Sequence, residues 1–158
     1  MSDLYAETWI AHGTLLDWHW NQKFLPWDSD IDVQMSVETL AGLVPRNMSE
    51  YSYPVTDEER DRVYLLDINP HCTITSTRDF ATKSTLAGST PRMSDELFPW
   101  QDASFEGISV KVPYDSHKIL AEEYGKKSLT NTRYHCESDL NGHRFNKAAK
   151  VWEAEISV

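Results

Sequence analysis

Three aspartates spaced at every second residue, Asp28, Asp30 and Asp32, are the side chains of this chain best suited to chemistry. Ile31 and Val33 interleave with the last two, and 31–35 has the pattern of a strand. Side chains alternate along a strand, so Asp30 and Asp32 are expected on one face and Ile31 and Val33 on the other. Two carboxylates on one face repel unless a cation lies between them, and all-oxygen ligands suit a hard ion such as Mg²⁺ or Mn²⁺. A solvated acidic loop has the same Asp-x-Asp-x-Asp pattern. A calcium-binding EF-hand loop needs Gly at its sixth position and Glu at its twelfth, where this chain has Val33 and Thr39.

The elements around the acids must position them. Upstream, Gly13-Thr14 reads as a turn, with Thr14 as N-cap of a buried helix carrying Leu15, Leu16, Trp18 and Trp20, and Pro26 ending the segment. Free N–H groups at such a turn suit phosphate oxygens. His12 beside it is either a phosphate contact or a packed histidine. Downstream, Ser36 caps a short helix over 37–43. The polar run 45–62 reads as a surface loop or exposed helix, and 63–68 with 72–77 as a hairpin of two strands.

Residues 81–96 lack periodicity and read as an atypical loop, long for a compact domain. A hairpin over 104–114 turns at Gly107. Asp115 or Ser116 then caps a helix over 117–124 that stops at Gly125. At the end, Phe145, Ala148, Val151 and Trp152 have helical spacing and predict a short helix over 145–154. A core is expected around Trp9, Leu15, Trp18, Ile31, Leu65 and Val110.

Composition bounds the class. At 158 residues, 40% hydrophobic and 25% charged, the chain is expected to be one globular domain. Its net charge of −10 argues against a nucleic-acid backbone as partner, which requires clustered Lys and Arg. Two cysteines, Cys72 and Cys136, are too few for a disulfide framework, and their His-Cys dipeptides lack zinc-site spacing. There is no apolar run long enough to span a membrane and no signal-peptide pattern at the start. Gly-rich dinucleotide motifs, Gly-x-Ser-x-Gly and His-Glu-x-x-His are all missing.

Two strings together resemble the LicD family, which includes phosphocholine and ribitol-phosphate transferases and the fungal proteins of mannosylphosphate addition. The first is Gly13-Thr14-Leu15-Leu16 followed by Pro26-Trp27-Asp28-Ser29-Asp30-Ile31-Asp32-Val33. The second is Phe105-Glu106-Gly107, Val110, Val112-Pro113, Leu120 and Tyr124-Gly125. His12-Gly13-Thr14 with Trp18, Trp20 and Asn21 looks most like the fungal branch. The resemblance covers roughly residues 8–132.

The resemblance implies a nucleotidyltransferase-like α/β (α+β) fold, a single domain with a mixed sheet flanked by helices. That domain would occupy 1–132, with a C-terminal tail over 133–158. It implies transfer of a phosphorylated sugar or alcohol from a nucleotide-activated donor to a glycan, with Mg²⁺ or Mn²⁺ as cofactor. Carried over residue by residue, Asp30 and Asp32 are catalytic metal ligands, Asp28 a supporting ligand, and Gly13 and Thr14 donor-phosphate contacts.

Two departures stand out. Asp17 occupies a position where the family usually has Gly, so the phosphate turn is expected to be crowded. The family's third carboxylate belongs to an apolar strand where this chain has 81–96, which leaves Asp67 as the stand-in catalytic acid. A catalytically silent relative, binding or regulating a partner glycosyltransferase, is therefore the alternative function, and a shortened chain is a third reading. Relatives work in the Golgi lumen behind a membrane anchor; this chain, if complete, would be cytoplasmic.

Overall fold

The computed structural model describes residues 6–54, 62–66, 94–135 and 142–155. They are α+β, as expected, with their strands grouped in small sheets. The chain divides into two compact units, each discontinuous in sequence: Met1–Glu7 with Met35–Arg92, and Thr8–Gln34 with Met93–Val158.

In the first unit, Ser36 caps helix α2 (Val37–Leu43), its Oγ accepting the Thr39 amide at 3.1 Å. Strands β3 (Ser49–Tyr53) and β4 (Arg62–Leu66) pair antiparallel, with Tyr51 opposite Tyr64. The expected loop or helix over 45–62 therefore contains a strand. Tyr51 and Tyr53 are half-buried while Glu50 and Ser52 are exposed, the period of two that marks a strand. The charged run that follows masked that signal. β4 pairs with β3 upstream of it; the expected partner over 72–77 lies outside the described residues. So do Asp67, Cys72, Cys136 and nearly all of the atypical loop over 81–96.

The second unit begins with β1 (Thr8–Ile10), helix α1 (His12–Asn21) and β2 (Val33–Met35), and β1 pairs with β2. After the short helix α3 (Ser94–Leu97) come β5 (Gln101–Phe105) and β6 (Ile108–Val112), an antiparallel hairpin. Its turn, Glu106-Gly107, has φ of 49° and 78°, both in the left-handed region that a two-residue hairpin turn needs. Helix α4 (Ser116–Glu123) starts where the sequence predicts, with Asp115 Oδ1 accepting the Lys118 amide at 3.1 Å. Gly125, at φ 79°, follows its end.

The C-terminal residues differ from expectation. They form β7 (Arg133–Tyr134), β8 (Gly142–Asn146) and β9 (Val151–Glu155), a three-stranded antiparallel sheet in place of the expected helix. Phe145 is opposite Trp152 across β8 and β9, and their rings lie 5.4 Å apart. The spacing that fits one face of a helix also fits a cross-strand pair closed by a short turn.

The core of this unit is Ile10, Leu15, Leu97, Val112, Ile119, Leu120 and Leu129, with Leu15 and Leu120 wholly buried. Each such leucine contributes roughly 2 kcal/mol of hydrophobic stabilisation. Trp9 is buried, and Trp18 and Val110 pack against the core. Ile31 and Leu65, expected inside, are exposed at 64% and 53%. For Ile31 the reason is that the strand starts two residues later, at Val33.

Candidate functional site: an acid cluster at the start of α1

Helix α1 begins at His12, two residues before the expected cap, and Ala11 at its N-cap position supplies no side-chain bond. The first turn is closed from another segment instead. Asp32 Oδ2 accepts the Gly13 amide at 3.0 Å, the Asp32 amide donates to Thr14 Oγ1 at 2.8 Å, and the Asp32 carbonyl accepts the Ala11 amide at 3.1 Å. An acid here satisfies an orphan N–H and meets the positive end of the helix dipole. Asp32 is thus locked by three bonds, none longer than 3.1 Å.

Asp28 reaches the same place. A Cβ on residue 13 would stand 2.9 Å from Asp28 Oδ2 and 3.1 Å from Asp32 Oδ2, closer than real Cβ atoms ordinarily approach. Gly13 is therefore a close-approach glycine that lets two carboxylates converge on the helix. Asp30, between them in sequence, is exposed, and its amide makes only a long 3.5 Å contact with Asp28 Oδ1. The alternation expected of 30–32 does not apply, because both residues precede the strand. Asp28 and Asp32 are the pair brought together.

The third acid is Asp17, one turn along α1 from Gly13. It is completely buried, and neither carboxylate oxygen has a hydrogen-bond partner. Burial raises its pKa to about 7 and the charge of Asp28 adds to the rise. The Leu25 amide opposes this and the Asp28 carboxyl acts further on it, neither at the geometry of a full hydrogen bond. Asp17, expected at the phosphate turn, faces inward and belongs to the carboxylate cluster.

Thr14 is wholly buried with its hydroxyl bonded to the Asp32 amide, and Gly13 donates its amide to Asp32, so both expected phosphate contacts are engaged inside the protein. His12 is a bridge: Nδ1 pairs with the Glu123 carboxylate of α4, and Nε2 lies 3.2 Å from Gln34 Nε2. Next to Glu123, the Tyr124 phenol has its pKa pushed up to about 12. Tyr124 as a residue is still 41% exposed; partial burial of its phenol is the main cause, followed by the charge of Glu123 and then of Asp32, Asp28 and Asp17. Glu123 and Tyr124 are site residues that sequence reasoning missed, and the burial of Asp17 was not foreseen. Tyr124-Gly125 was visible in the second string, but nothing in its spacing tied it to the acids.

The donor set is all oxygen, which suits a hard divalent cation over a soft one. Among the described residues, no three His, Cys, Asp or Glu side chains already converge on one ion position. No helix there is long and apolar enough to cross a membrane.

Comparison with known proteins bears on the same stretch. No curated protein matches the chain. A family model described as "LicD/FKTN/FKRP, nucleotidyltransferase domain" matches residues 6–64, which include the first string and all three clustered acids but not the second string. Over those residues, the chain is similar to the LicD/FKTN/FKRP nucleotidyltransferase domain.

Proposed function

We propose that this chain is a phosphotransferase of glycan modification, moving a phosphorylated sugar or alcohol from a nucleotide-activated donor to a glycan. The observation that carries the reading is the convergence of Asp28 and Asp32 on Gly13, inside the stretch that matches the family model. Mannosylphosphate transfer in the secretory pathway, beside a partner glycosyltransferase, is the finer form of the same proposal. It is motivated by the wording of His12-Gly13-Thr14 and the tryptophans that follow.

Asp28 and Asp32 would hold a Mg²⁺ or Mn²⁺ ion. When bound, such an ion neutralises phosphate oxygen charge, the main catalytic demand of phosphoryl-type transfer. The chain's own residues do the positioning. Asp32 is fixed by the Gly13 amide, Thr14 hydroxyl and Ala11 amide, so its remaining lone pairs have a set direction. The His12–Glu123 pair ties the first residue of α1 to the end of α4. This pairing keeps the acids and Tyr124 in register.

The silent-relative reading also has a supporting observation: Asp30, expected as a metal ligand, is exposed. Turnover with a panel of nucleotide-sugar and nucleotide-alcohol donors in Mn²⁺ separates the two. Activity lost in Asp28→Asn and Asp32→Asn but kept in Asp30→Asn is the expected result. Loss in Asp67→Asn as well would add that residue as third ligand. Donor binding without turnover by the unaltered protein would establish the silent reading instead.

A further inference from the structure

A cavity of about 620 Å³ opens between the C-terminal half of α1 and the β8–β9 turn, within the same compact unit as the acids. Its volume is ordinary for a small-molecule site. Trp18, Trp20 and Phe145 give it aromatic lining, and Lys147 and Lys150 line it too. Trp20 is held firmly: its indole N–H donates to the Ser128 carbonyl at 3.1 Å, and its ring meets Phe145 edge-on at 4.9 Å. The turn carrying the lysines is fixed too. Asn146 Oδ1 accepts the amides of Ala148 and Ala149, both at 3.1 Å, and Asn146 Nδ2 donates to Glu153 at 2.8 Å.

Charge and position are both informative. On a chain of net charge −10, Lys147 and Lys150 are exposed cations that form no ion pair among the described residues. Trp20 is seven residues, about two turns, beyond Gly13, which puts it on the same helix face and roughly 10 Å along the axis. A row of rings joins the two places: Trp27, next to Asp28, lies 5.0 Å from Trp152, and Trp152 lies 5.0 Å from Trp20. Aromatic surface, two cations on a fixed turn and the hydroxyls of Thr130 and Thr132 suit a ring with hydroxyl groups and an anionic substituent.

We propose that this cavity binds a phosphate-bearing sugar, its ring packed on Trp20 and Phe145 and its phosphate held by Lys147 and Lys150. Calling that sugar part of the glycan acceptor rests on the transferase reading above; the binding itself does not. The lining from Phe145 onward is outside residues 6–64, so the site is a feature of this chain beyond the family match.

The test is titration of the full chain, with EDTA present, followed by tryptophan fluorescence and amide NMR. Glucose 6-phosphate, glucose, AMP and inorganic phosphate are the probes. Glucose 6-phosphate should bind saturably, with glucose and inorganic phosphate each weaker by about tenfold or more. The double variant Lys147→Ala/Lys150→Ala, with an unchanged melting curve, should lose about tenfold in affinity. Asp28→Asn/Asp32→Asn should bind glucose 6-phosphate as the unaltered protein does, which keeps a failed acid site distinct from a failed sugar site. No saturable binding, equal affinity in the lysine variant, inorganic phosphate binding as tightly as the sugar phosphate, or preference for AMP would each overturn the proposal.

Discussion

Replacing Asp17 by Asn removes a charge from a buried site while keeping the shape of the side chain. Asp17 titrates near 7 in the folded protein against 3.8 in a free chain, because burial and Asp28 both penalise its charged form. A raised pKa means that the folded state holds the proton more tightly than the unfolded state. Its stabilising contribution is fully present below 3.8 and is lost as pH rises through about 7. Integrated from pH 5 to pH 8, a shift of this size is worth roughly 3 kcal/mol. That is large beside the 5–15 kcal/mol typical of a whole domain. Asn does not titrate, so Asp17→Asn should gain on the unaltered protein by about this amount across the interval. Urea denaturation of both proteins at pH 5, 6, 7 and 8, with EDTA present, measures it, and titrations common to both cancel in the difference. A stability gap independent of pH would show that Asp17 is solvated or paired, and the acid cluster as described would be wrong.

Gly13→Ala places a methyl group 2.9 Å from Asp28 Oδ2, so one carboxylate must move; a loss of about 1–3 kcal/mol in thermal unfolding and a fall in turnover are expected. Thr14→Val keeps the volume but strands the half-buried Asp32 amide, now 2.8 Å from the hydroxyl, and should cost about 1 kcal/mol by urea denaturation. Leu120→Ala empties a wholly buried position in α4 and should lower stability by about 2–5 kcal/mol without changing the charge of the site, read by calorimetry.

By itself the sequence determined what depends on neighbours along the chain. The Glu106-Gly107 turn, the Asp115 cap and the stop at Gly125 are local, because turn and cap chemistry act over a few residues. The position of the acids and the hard-ion character of their ligands were equally legible, since both follow from residue type. Tertiary structure decided what depends on distant partners. The start of α1 is set by Asp32, eighteen residues away from the Thr14 hydroxyl that it engages. Which aspartates converge was decided by the close approach that Gly13 permits, and the alternation of 30–32 misled because the strand begins only at Val33. Asp17 stands out in the sequence as an acid where a Gly is usual, but only packing shows that it is buried beside Asp28. Phe145 and Trp152 fit a helix face by spacing, and only strand pairing shows them to be cross-strand neighbours. Hydrophobic spacing constrains which residues are buried together; long-range hydrogen bonds and packing select the backbone that does it.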